Sequence, residues 1–221
     1  MSDSPTSLPV LAWADASPAS LFSVGAGTTA VWVALTGRAG PDDAAVLVVW
    51  LLAVALLQVI TGLIALRRGD SVGGSLNLVF GVLFWAAPAC TTALLAFPVG
   101  GPAPAHLTLV MNGWVFALLG VVLVAHVPVM AAQSALLFVA MSMFSVAVAL
   151  LAMLNLQLPA VQAVAPWPSV SCAAGWLIGA AGLLMTYMGI AVVWLAAFGR
   201  SPLPIPGPSR FTQRVVTAPG S

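Results

Sequence analysis

The sequence predicts an all-α membrane protein in which six transmembrane helices form one bundle. Charged side chains make up 5% of the chain, whereas about a quarter of the residues are charged in an ordinary soluble domain. Residues 71–199 contain no Asp, Glu, Lys or Arg. The mean hydropathy of +1.12 supports the same conclusion, because only lipid can solvate so apolar a surface.

The chain length sets the number of spans and leaves room for one domain. A helix needs about 20 apolar residues to cross the hydrocarbon core, so 221 residues accommodate six spans with short loops. We predict a soluble tail over residues 1–16, a transmembrane domain over residues 17–198 and a proline-rich cytoplasmic tail over residues 199–221. The first segment lacks the basic region of a cleaved signal peptide.

Capping residues delimit the first two spans. Ser17 suits the N-cap of a span over about residues 18–36, and Pro18 suits its first turn, where a missing N–H costs little. The second span, over about residues 44–66, ends at two arginines followed by Gly69, which can adopt the left-handed conformation of a helix C-terminus.

The middle spans are delimited by an acidic cap and by prolines. Asp70 can cap a third span over about residues 72–97, after which a glycine- and proline-rich segment predicts a loop. The fourth span is expected over about residues 106–125, because Pro128 predicts that the helix ends before it.

The last two spans are expected over about residues 134–154 and 172–198, separated by a loop containing Pro-Trp-Pro at 166–168. Glycines and a threonine recur at steps of three and four in the sixth span, which is typical of close helix packing within a bundle or between subunits. Six spans place both termini on one face. That face carries five of the six arginines, so the positive-inside rule predicts cytoplasmic termini.

Several functional classes are excluded or disfavoured by composition. The net charge of +1 gives no basic patch for nucleic acid. Cys90 and Cys172 lie in apolar stretches and are typical of buried hydrophobic residues rather than a metal or disulfide pair. No catalytic or nucleotide-binding motif is present, so we expect neither an enzyme nor a cofactor or metal site.

A few polar residues within the spans are candidates for function. Asn77 shares a helix face with Phe80 and Phe84. An amide in hydrocarbon is costly unless paired, so Asn77 either forms an interhelical hydrogen bond or lines a pore. Gln58 and Thr61, one turn apart in the second span, leave the same two alternatives open.

Short stretches in the same order along the chain resemble the acetate uptake transporter family, the succinate-acetate permeases. The first is Ser-Pro-Ala-Ser-Leu at 17–21, followed by Gly-Ala-Gly-Thr-Thr at 25–29, which is similar to the family's opening Asn-Pro-Ala-Pro-Leu-Gly signature. The others lie at residues 58–63, 67–73, 149–155, 174–176 and 198–204. Each stretch is short, but together they are distributed over about residues 17–206.

The resemblance implies a protomer with its own central pathway, assembled as a hexamer in the bacterial inner (plasma) membrane. Such a protein passes acetate and other small monocarboxylates, and sometimes succinate. The family's three-residue hydrophobic constriction falls on Ala26, Phe80 and Phe144. Polar contacts to the substrate are expected from the following residues: Ser17, Thr28, Thr29, Gln58, Asn77 and Asn155. For the paired threonines, the alternative alignment is Thr29 with Ala30.

The chain departs from the family pattern at the expected pathway. Ser17 replaces the signature's asparagine, Ser20 its second proline and Phe22 its glycine. At the constriction, Ala26 stands where an aromatic residue is usual, Phe80 lacks a tyrosine hydroxyl, and Phe144 replaces a leucine. We therefore expect a hydrophobic gate of altered shape.

Two mechanisms and two other functions stay open at this point. A carboxylate crossing without Lys or Arg must use neutral donors and the N-terminus of the first span near Ser17, or must cross as the protonated acid. A channel for a small neutral solute such as urea, short amides or ammonia is one alternative. A non-transporting membrane scaffold or sensor is the other.

Overall fold

The structure is a computed structural model that describes residues 15–97, 109–157, 167–200 and 203–204. Six helices in these ranges are long and apolar enough to cross a membrane. They are α1 (Ser17–Leu35), α2 (Ala44–Arg67), α3 (Ser71–Ala96), α4 (Val110–Gln133), α5 (Ala135–Leu156) and α6 (Trp167–Phe198). The predicted all-α bundle of six spans is confirmed. The connections at residues 98–104 and 158–166 lie outside the described residues. Of the predicted tails, only residues 15–16, 199–200 and 203–204 are described.

The helices form a closed ring. Each helix packs against its neighbour in the chain, and α6 packs along both α5 and α1. The glycines of α6 face α1: a side chain at Gly182 would overlap the Thr28 hydroxyl, and one at Gly179 would press on Trp32. The small-residue stripe of α6 is therefore a helix contact within this bundle.

Side-chain caps begin α3 and α5, but the cap predicted at Ser17 does not form. The Asp70 carboxylate accepts a hydrogen bond of 2.8 Å from the Gly73 N–H, and the Ser134 hydroxyl caps α5 by accepting from Leu136 N–H. At α1 the predicted cap, Ser17, is already helical. Its N–H donates instead to the carboxylate of Asp15, at 3.0 Å.

Two spans extend beyond their predicted bounds. α4 continues through Pro128 to Gln133, eight residues past the end predicted at residue 125. Pro128 removes one backbone hydrogen bond without ending the helix, a loss that spans in lipid accommodate through neighbouring groups. α6 begins at Trp167, several residues before its predicted start. The predicted start of the fourth span, residues 106–108, lies outside the described residues.

A π-helical segment interrupts the middle of α3. It covers Phe80–Ala86 and carries three large rings, those of Phe80, Phe84 and Trp85, all of them buried. A π-helix turn contains an extra residue and changes the direction of the side chains that follow it. In this chain it directs adjacent rings towards the interior of the bundle.

Candidate functional site

A cavity of about 430 Å³ enters the bundle from the end where α1 begins and α2 ends. Charged and polar residues surround its mouth, including Asp15, Ser17, Arg68 and Asp70. Apolar side chains from α1, α3, α5 and α6 line its walls, and Phe80 and Phe144 lie at its deepest point. The wall residues include Leu21, Val24, Leu76, Met141, Met185 and Met188.

Two phenylalanine rings, one from α3 and one from α5, form the floor of this cavity. The centroids of Phe80 and Phe144 lie 5.5 Å apart with an interplanar angle of 81°. Phe84 packs on both rings, at 5.4 Å from Phe80 and 6.0 Å from Phe144. Phe116 of α4 adds a fourth ring, at 6.4 Å from Phe84. These edge-to-face contacts leave Phe144 with no exposed surface.

A polar network lies in the wall, one helical turn from the floor. The Gln58 amide Nε2 donates to the Ser20 carbonyl oxygen at 2.9 Å and to the Ser23 hydroxyl at 2.5 Å. The Ser20 hydroxyl donates to the Asn77 side-chain oxygen at 2.9 Å. The network therefore joins α1, α2 and α3 through side chains that sit within the membrane.

Gln58 and Asn77 have different roles in this network. Gln58 is fully buried, and its Oε1 has no hydrogen-bond partner among the described residues. Asn77 is only partly buried and lines the cavity. Asn77 therefore forms an interhelical hydrogen bond with α1 and also faces the cavity. Thr61 lines the cavity, and its hydroxyl donates to the Gln58 backbone oxygen.

An ion pair occupies the mouth of the cavity. The Arg68 guanidinium lies 3.0 Å from the Asp15 carboxylate, which also accepts hydrogen bonds from the Ser17 N–H and hydroxyl. Burial by itself would raise the pKa of the Asp15 carboxyl, but the Ser17 hydrogen bonds and the Arg68 charge outweigh it and lower this pKa. Arg68 is therefore neutralised by a carboxylate of the chain itself.

The expected three-residue constriction is not assembled in full, because Ala26 lies away from Phe80 and Phe144. Ala26 is exposed on the outside of α1 and lines a second groove of about 470 Å³ with Thr29 and Arg38. Val24, two residues earlier, lines the first cavity instead. Two residues correspond to about 200° around a helix, so these two positions must face opposite ways.

Three other predicted residues also lie apart from the cavity. Thr28 is fully buried against Gly182 of α6, and its hydroxyl donates to the Gly25 carbonyl oxygen. Thr29 is exposed and donates to the same carbonyl. Asn155 lies at the opposite end of the bundle, where its amide donates to the Leu151 carbonyl oxygen of its own helix. Of the predicted polar residues, Ser17 and Asn77 line the cavity directly.

Sequence reasoning assigned no role to Ser23, named Phe84 only as sharing a face with Asn77, and treated Ser20 only as a departure from a family motif. Ser23 and Val24 lie three and four residues after Ser20, the spacing of one helix face. That spacing was available in the sequence, but it does not indicate which face of α1 points inwards. Within the described ranges, no group of three or more His, Cys, Asp or Glu side chains could hold a metal ion.

No protein-family model matches the sequence, and neither does any curated protein sequence. Among solved structures, the bacterial acetate channel SatP is similar, with a TM-score of 0.74 over 87% of this chain and 99% of that chain. The chain shares the SatP fold. The two sequences are 21% identical, so the likeness to SatP concerns the arrangement of the helices.

Proposed function

We propose that this protein is a channel or transporter for acetate and other small monocarboxylates, and that it belongs to the acetate uptake transporter family. The observation that carries the proposal is a cavity that enters a SatP-like bundle and stops at the contact between Phe80 and Phe144. A blind cavity that ends on a hydrophobic ring contact has the form of a closed gate.

The dimensions and surface of the cavity fit a small organic acid. A volume of about 430 Å³ exceeds the needs of acetate and leaves room for accompanying water. The methionine and leucine walls suit a methyl group, and the Asn77 amide supplies a neutral polar contact. Hydrophobic constrictions gate by excluding water, so Phe80 and Phe144 would hold back hydrated ions while the gate is closed.

One hydrogen bond supports neutral side chains, rather than the backbone N–H groups at the start of α1, as the groups that contact the substrate carboxylate. The Ser17 N–H, which we expected to be free for substrate, is occupied by Asp15. Passage would thus depend on amide and hydroxyl donors along the cavity wall, or on loss of the charge by protonation. The family resemblance adds three points to the proposal: succinate as a further substrate, a hexameric assembly, and a location in the inner (plasma) membrane. The arginine distribution adds cytoplasmic termini.

The direct test is flux of labelled acetate into liposomes containing the purified protein, with protein-free liposomes as the control. We expect uptake that unlabelled propionate inhibits and urea does not, measured with and without an inward proton gradient. Inhibition by urea alone would replace the proposal with a neutral-solute channel. Absence of flux for acetate, succinate and urea would favour a scaffold or sensor.

A further inference from the structure

The hydrogen bonds around Asn77 have a consistent direction. The Gln58 Nε2 donates to the Ser20 carbonyl oxygen at 2.9 Å and lies 3.3 Å from the Ser20 hydroxyl oxygen. The Ser20 hydroxyl directs its own proton to the Asn77 side-chain oxygen. Ser20 therefore fixes which end of the Asn77 amide faces α1. Its Nδ2 forms no hydrogen bond with any other part of the described chain, although Asn77 lines the cavity.

The other polar side chains around the cavity are already engaged or lie in water. The Ser17 hydroxyl and Arg68 are both directed to Asp15, and the Thr61 hydroxyl donates to a backbone oxygen. Gln133 is exposed at the end of α4, where water competes for its amide. At depth, the Asn77 N–H groups are the donors that a carboxylate would find uncommitted.

We propose that the Asn77 side-chain amide binds the carboxylate group of the substrate immediately outside the contact between Phe80 and Phe144, and that Ser20 is the positioning residue that holds this amide in place. The inference rests on the proposed function and adds the group that recognises the substrate. Asn77 lies three residues before Phe80 on α3, so a bound carboxylate would stand one turn from the gate.

Polarisation along the network strengthens this site. A hydrogen bond accepted at the amide oxygen makes the N–H groups of the same amide better donors. The fully buried Gln58 supports Ser20 and so contributes indirectly. Among the described residues, no arginine takes part in the contact, and a neutral donor would bind weakly enough to release the substrate into the pathway.

The test compares the half-saturation concentration for acetate in liposomes containing wild-type protein or Asn77→Leu. A hydrogen bond to a charged group is strong enough that its loss is expected to raise this concentration about tenfold or more. Asn112→Leu is the matched control, because Asn112 is also a membrane asparagine but bonds to Thr91 and does not line the cavity. Size-exclusion chromatography and a melting curve establish that each variant is folded.

A second pair of variants tests the positioning residue. Ser20→Ala should raise the half-saturation concentration for acetate while leaving the maximal flux near that of wild type. Ser20→Thr keeps a hydroxyl and should have a half-saturation concentration close to that of wild type. Wild-type acetate flux with an unchanged half-saturation concentration in folded Asn77→Leu overturns this inference alone. Absence of acetate flux in wild type overturns the proposed function, and this inference with it.

Discussion

Replacing Phe144 with alanine tests whether the aromatic floor of the cavity is a gate. Phe144 is fully buried and packs edge-to-face on Phe80 at 5.5 Å and on Phe84 at 6.0 Å. Each aromatic pair of this kind contributes roughly 0.5–1.5 kcal/mol beyond area burial. The two pairs that Phe144 forms together stabilise the closed state by about 1–3 kcal/mol. If opening separates the rings, their loss raises the open population by about 5- to 150-fold.

The assay is the initial rate of labelled acetate uptake into liposomes at equal protein density. We expect Phe144→Ala to increase this rate by roughly tenfold, up to the point at which another step limits flux. Phe144→Leu, which fills more of the space but removes both ring contacts, should give a smaller increase. If substrate entry through the mouth of the cavity becomes limiting, both variants should reach the same maximal uptake rate.

Phe138→Ala is the matched control, because Phe138 lies on the same helix and is 38% exposed towards the surroundings of the bundle. It should leave the rate unchanged. Removing the buried Phe144 ring should also lower the melting temperature more than the Phe138 change, since only Phe144→Ala leaves an internal cavity. A folded Phe144→Ala protein with the wild-type rate would refute the assignment of the ring contact as a gate.

Two further predictions concern the frame around the cavity. Gly182→Ala should lower the melting temperature markedly, because its methyl group would overlap the Thr28 hydroxyl, whereas Gly120→Ala should be tolerated because its methyl group would lie 3.9 Å from the nearest side-chain atom. Asp15→Asn should lower the melting temperature slightly at pH 7, since exposed ion pairs contribute little. Folding lowers the pKa of Asp15 from its ordinary value of 3.8. The stabilisation from the ion pair is therefore lost as the pH falls through the lowered value. Below that pH, wild type and Asp15→Asn should have the same melting temperature. A difference that persisted in strong acid would contradict the ion-pair explanation, and Asp42→Asn serves as its control.

Helix boundaries were the part of the structure that local chemistry predicted well. Asp70 caps its helix as expected, because a cap depends on residues within one turn. Pro128 was misinterpreted as a helix end. Its missing hydrogen bond is a local cost, and the continuous apolar segment on both sides of it outweighs that cost in lipid.

The candidate site was only partly predictable, for a reason specific to membrane proteins. In a soluble helix the polar face identifies the outside, but in lipid both the interior and the exterior of the bundle are apolar. The sequence could therefore not decide that Val24 faces the cavity and Ala26 faces outwards. The expectation that Phe80 and Phe144 lie together came from the family resemblance and not from their hydrophobicity, and in the structure the two rings are in contact.

The sequence by itself determined that lipid surrounds the protein, that six helices cross it, and that most of any pathway must lack fixed charge. These conclusions depend on composition and segment length, which lipid constrains directly. The rotation of each helix was decided only in the tertiary structure. Packing of α6 glycines on α1 and the hydrogen bonds linking Ser20, Gln58 and Asn77 set that rotation, because they require atoms from different helices to meet within a few ångströms.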